Sequence, residues 1–76
     1  MNTKSNDIDV ELGRLLRERR MSLGLTVEDV ARITNVPCRQ IEKYETAENR
    51  LSVVRLHEIA SAVGVRASAL LRLITF

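Results

Sequence analysis

Apolar residues recur along this chain at spacings of three, four and seven, the signature of helices that bury one face. Leu12, Leu15, Leu16 and Leu23 form the first such stripe, in a helix expected near Val10 to Ser22. Gly24 is a natural stop for it. Thr26 fits an N-cap, with Glu28 and Asp29 in a first turn whose dipole favours anions. The second helix, Val27 to Thr34, buries Val27 or Val30 with Ala31. Asn35-Val36 makes a tight turn, and Pro37 opens a third helix where its missing N–H costs nothing. That helix runs to about Glu45, with Ile41 and Tyr44 inward. After a polar loop from Thr46 to Leu51, Ser52 caps a fourth helix through Val63 with Leu56, Ile59, Ala60 and Val63 in register. Gly64 ends it, and a fifth helix spans about Ala67 to Ile74. No strand pattern and no internal repeat is found.

The pattern predicts an all-α, five-helix bundle in which helices two and three form a helix-turn-helix. Helices that short are not stable alone. They make sense when crossed and packed through small and branched residues, here Ala31, Val36 and Ile41.

Composition narrows this picture. Seventy-six residues hold one domain, read as a flexible tail over residues 1–9 and a helical domain over 10–76, whose modest core a partner copy would reinforce. A hydrophobic fraction of 45% argues against disorder. Lone Cys38 excludes an internal disulfide and fits a reducing compartment. No apolar run approaches the roughly 20 residues of a membrane span, and no signal-peptide core is visible. A cytoplasmic protein with no membrane association is expected.

Net charge is only +2, but arginine outnumbers lysine ten to two, which favours bidentate contacts with phosphate or guanine. The alternative is a solvated, salt-bridged surface. Arg39 and Lys43, four apart, share one helical face. Arginine pairs with guanine and glutamine with adenine, so Arg39, Gln40 and Lys43 point to base reading. Glu42 and Glu45 are expected off that face. Phosphate contacts are expected where free N–H groups collect at helix ends: Thr26, Val27, Thr46, Asn49, Arg50 and Ser52. Cys38 lacks a second Cys or clustered His, so neither a metal nor a cofactor is implied. His57 is expected on the outer surface. No catalytic Ser/His/Asp order, carboxylate pair or glycine-rich phosphate loop occurs, and no enzyme is expected.

Leu23-Gly24-Leu25-Thr26, Val30-Ala31, Val36, Ile41, Tyr44-Glu45 and the run from Ile59 to Val65 followed by Leu70-Leu71 resemble the Cro/phage-repressor (XRE-type) helix-turn-helix family. The resemblance covers about Leu12 to Leu71. It implies a recognition helix from Pro37 to Glu45 with Cys38, Arg39, Gln40 and Lys43 facing the major groove, and a structural ion pair between Arg20 and Glu45. The chain departs from the family at Val27, where many members carry glutamine, at Ala47, where glycine is usual, and at Arg66.

Apolar surplus at the C-terminus predicts a dimer interface at Leu70, Leu73, Ile74 and Phe76; the other reading folds this terminus onto its own core. A two-fold dimer would read an inverted repeat in double-stranded operator DNA. A stand-alone transcriptional regulator is expected, repressing by blocking polymerase; the family resemblance further implies activation by touching RNA polymerase, and autoregulation. Two other readings are a protein-interaction module, such as an antitoxin or antiactivator, and a nonspecific nucleic-acid binder, for which the charge is low.

Overall fold

The computed structural model describes residues 5–75. They form five helices, α1 (Ser5–Ser22), α2 (Val27–Thr34), α3 (Cys38–Glu45), α4 (Val53–Ala62) and α5 (Ala67–Thr75), with no strand among the described residues.

The first helix begins earlier than its apolar stripe suggests: the tail expected through Asp9 is helical from Ser5. Ile8, one turn before Leu12, packs against the core. Asp7 lies in the first turn, where an anion is favoured. Asp9 accepts a hydrogen bond from Arg50 Nε at 3.3 Å. Leu23, expected on the inward stripe, is instead 46% exposed because the helix has already ended at Ser22.

Three helices close in the same way. After α1 the Leu25 N–H bonds back to Arg20 O and Gly24 N–H to Met21 O; after α4 Val65 bonds to Ala60 and Gly64 to Ser61. After α3 Glu48 bonds to Lys43 O at 2.8 Å and Ala47 to Tyr44 O at 3.2 Å. This is the Schellman closure, which needs a left-handed residue after the helix. Glycine meets that need twice, but Ala47 adopts φ +64°. A left-handed alanine costs about 1–2 kcal/mol, while glycine costs about 0.5–1 kcal/mol in chain entropy. Ala47→Gly is therefore expected to stabilise the domain by about 0.5–1 kcal/mol. Urea unfolding checks this, and a less stable variant would refute the strain at Ala47.

Local signals place the second and third helices. Thr26 and Asp29 form a reciprocal capping box, Asp29 N–H to Thr26 Oγ1 at 3.0 Å and Thr26 N–H to Asp29 Oδ2 at 2.9 Å. Asn35 takes φ +60°, which asparagine tolerates, and Pro37 caps α3 in an extended conformation. Val30, Val36 and Ile41 are fully buried between the two helices and join Leu12, Leu16, Tyr44, Leu56, Ile59, Ala60, Val63 and Leu70 in one aliphatic core. Arg19 Nε donates to Val63 O at 2.8 Å, tying the end of α1 to the end of α4. Gly13 lets α1 lie directly on the last turn of α3: a Cβ there would sit 2.5 Å from the carbonyl oxygens of Tyr44 and Glu45.

Candidate nucleic-acid interface

With Ile41 and Tyr44 committed to the core, α3 turns its other face outward. Arg39 is exposed, while Cys38, Gln40 and Lys43 are half-buried at its flanks. The helix is held at its far end by Arg20. Arg20 Nε donates to Glu45 Oε2 at 2.7 Å and a second guanidinium nitrogen to Oε1 at 3.0 Å, while a third N–H reaches Leu25 O at 2.9 Å. Side-chain exposure is 12% for Arg20 and 8% for Glu45. The bidentate bond to Glu45 raises the arginine pKa above its ordinary value, with burial acting in the opposite direction. The pair spans α1 and α3, and Leu25 brings in the turn before α2.

Surface charges sort themselves around this helix. Arg14 pairs with Glu11 and Glu18, Arg32 with Asp29, Arg50 with Asp9 and Arg55 with Glu58. Arg17, Arg39 and Lys43 hold no ion pair among the described residues. Acids interleaved in the sequence thus pair with Arg14, Arg20, Arg32, Arg50 and Arg55, while Arg17, Arg39 and Lys43 stay unpaired on and beside α3, as do Arg19, Arg66 and Arg72 elsewhere among the described residues.

The residues expected at the DNA backbone occupy different situations. Thr26 is exposed; its oxygen accepts from Asp29 N–H and its hydroxyl proton stays available. Val27 offers only its backbone N–H, which as the first of a helix has no intrahelical acceptor. Ser52 likewise caps α4, accepting from Arg55 N–H at 3.1 Å. Asn49 is exposed, and Arg50 is 70% exposed despite its bond to Asp9. Thr46 is exposed, and its hydroxyl donates to Glu42 O at 3.0 Å at the end of α3.

Two further expectations change. Glu42 does not lie off the exposed face that carries Arg39. It is exposed one turn from Arg39 and shares with Arg17, Arg20, Val27, Glu45 and Thr46 the lining of a groove between α1, α2 and α3. The i, i+3, i+7 spacing of Arg39, Glu42 and Thr46 carried this signal, and Arg17 stands the same one turn from Arg20. At the C-terminus, Leu70 is 4% exposed and belongs to the domain's own core, which removes it from any interface. Ile74 is half-buried against that core. Leu73 is 70% exposed beside Leu15, Glu11 and Arg14, and Phe76 lies outside the described residues.

A helix-turn-helix domain model matches residues 11–73, nearly all of the helical bundle. The fold agrees with solved structures, among them an XRE-family-like protein from Pseudomonas syringae at 30% identity and TM-score 0.81, covering 93% of this chain and 90% of that one. The chain belongs to the XRE-type helix-turn-helix family.

Further proteins are similar to this XRE-type domain in fold or in sequence. The restriction-modification controller protein C.AhdI from Aeromonas hydrophila superposes with TM-score 0.77 at 26% identity, over 84% of this chain and 96% of that one. A Rhodospirillum rubrum protein described as a transcriptional regulator in the ATPase CF(0) region is 43% identical over 58 residues, 76% of this chain and 54% of its own length. An HTH-type transcriptional regulator from Sinorhizobium medicae is 35% identical over 65 residues, 86% of this chain and 47% of its own. The chain spans about half the length of these curated relatives. Among the described residues no helix is long and apolar enough to cross a membrane.

Proposed function

We propose that this domain regulates transcription by binding double-stranded operator DNA, with α3 in the major groove and Arg39, Gln40, Lys43 and Cys38 at the base edges. The observation that carries this reading is an unpaired Arg39 beside Lys43 on a helix braced by a buried bidentate ion pair. Transcriptional regulators among the family relatives support it. The N–H of Val27, with Thr26, Asn49, Arg50 and Ser52, contacts the backbone and fixes register without reading sequence. This is a binding role, not an enzymatic one, and occupancy of the site represses by exclusion of polymerase.

Selection of duplexes from a random-sequence pool, followed by isotherms at fixed salt, tests the assignment. Arg39→Ala is expected to lose about tenfold to a hundredfold affinity for the selected sequence, the equivalent of one bidentate base contact. Binding to unselected duplex should fall much less. Equal selectivity in parent and variant would remove Arg39 from the reading face.

The same reading makes the protein a homodimer on an inverted repeat, with two recognition helices roughly 34 Å apart. Exposed Leu73 on α5, next to Leu15, supports that interface. Sedimentation at micromolar concentration should find a dimer that Leu73→Asp converts to monomer; a monomeric parent would end this part of the proposal.

A protein-binding module is the second reading, favoured by the Glu42 carboxylate on the exposed face of α3. Failure of the parent to retain any duplex at low salt would decide for it.

A further inference from the structure

We propose that Arg17, on α1, is a DNA-backbone anchor that holds a phosphate at the edge of the reading face. The inference rests on the DNA-binding reading above and extends the contact surface to an element outside the helix-turn-helix.

The groove between α1, α2 and α3 has six lining residues: Arg17, Arg20, Val27, Glu42, Glu45 and Thr46. Most of their polar groups are already committed. Arg20 and Glu45 satisfy each other, and Arg20 also serves Leu25 O. The Thr46 hydroxyl donates into its own helix end. Val27 has no side-chain donor. What remains is one guanidinium, Arg17, and one carboxylate, Glu42, both exposed and not joined by an ion pair.

Glu42 stands one turn from Arg39, so any duplex read by Arg39 brings phosphate charge toward this carboxylate. A cation is needed at that place to make the approach favourable, and Arg17 is the uncommitted donor lining it. Its neighbour on the outer side of α1 differs: Arg14 is neutralised by Glu11 and Glu18. Arg19, which also lacks an acidic partner, donates to Val63 O at the end of α4, so Arg17 is the guanidinium of α1 that holds no bond among the described residues, and it lies on the groove beside α3. A guanidinium in this position presents paired N–H groups to a phosphate without losing an existing bond.

A phosphate anchor has a signature that base readers and structural residues lack, because each neutralised phosphate releases counterions. The probe is a fluorescent random-sequence duplex about three helical turns long, titrated by anisotropy from low to moderate salt. Arg17→Ala is expected to lose roughly threefold to tenfold affinity, equally for all sequences, with the slope of log affinity against log salt reduced by about 0.9. Arg17→Lys should retain the parental slope, and Glu42→Gln should bind more tightly than the parent. Helix content by circular dichroism should be unchanged, since Arg17 holds no partner to lose. Arg17→Ala with parental slope and affinity, in conditions where Arg50→Ala lowers both, would place Arg17 outside the footprint and overturn the proposal. Loss of selectivity at constant slope would overturn it equally. A parent that binds no duplex at the lowest salt would overturn the DNA reading itself and this inference with it.

Discussion

Glu45→Ala is expected to destabilise the domain by about 3 kcal/mol, because it strands the Arg20 guanidinium in a mostly buried site. Removal of one partner from a buried pair costs about 3–5 kcal/mol, whereas exposed pairs contribute about 0–1 kcal/mol. Exposures of 12% and 8% put this pair with the buried class. The bond from Arg20 to Leu25 O survives the substitution and holds the cost at the lower end. Urea denaturation measures it directly. A loss below about 1 kcal/mol would mean that the pair behaves as a surface contact and does not brace α3. Joint replacement, Arg20→Met with Glu45→Leu, should be less costly than either single change, since no charge is then stranded. Duplex affinity is nonetheless expected to stay reduced in the double variant, because apolar side chains do not restore the three hydrogen bonds from Arg20 to Glu45 and Leu25.

Gly13→Ala is expected to cost about 2 kcal/mol, although alanine is the better helix former. The added methyl gains up to about 1 kcal/mol in helix propensity. Against this stands a Cβ at 2.5 Å from two carbonyl oxygens of α3, a distance that backbone on both sides must relieve by moving apart. Overpacking of this kind costs about 1–3 kcal/mol, and here it falls on main chain with no flexible side chain to yield. The steric term wins. A Gly13→Ala protein that melts above the parent would show that α1 and α3 are packed more loosely than these distances state. Residual binding by the folded fraction should also fall, since the displaced turn carries Glu45.

These two residues illustrate what the sequence alone discloses. The boundaries of α2 and α3 were legible because their signals are local: Thr26 with Asp29, Asn35 at the turn, and Pro37 at the next start. The pairing of Arg20 with Glu45 was available only through resemblance to a family, as nothing in their spacing of 25 residues requires it. Gly13 was invisible, since one glycine in a helix looks like a weak point until the opposing backbone is in place. The start of α1 is not visible in the pattern because Ser5 to Asp9 is polar except for Ile8, and its helicity draws on that one residue and on Arg50, 41 residues beyond Asp9. α5 posed a different difficulty. Leu70, Leu71, Leu73 and Ile74 spread over nearly half of the helix circumference, wider than a single buried stripe, so periodicity does not single out the inward residue; packing on the rest of the bundle chooses Leu70. Glu42 is simpler, for its place beside Arg39 follows from helical spacing.

The core's poverty in aromatics has a practical result. The chain has a single tyrosine and no tryptophan, and Tyr44 sits 8% exposed on the inner side of α3. Near-ultraviolet dichroism of the protein, and the tyrosine emission excited in it, therefore report on the seating of one helix in the bundle. The molecule carries its own optical gauge, placed on α3, the helix that we propose reads a duplex.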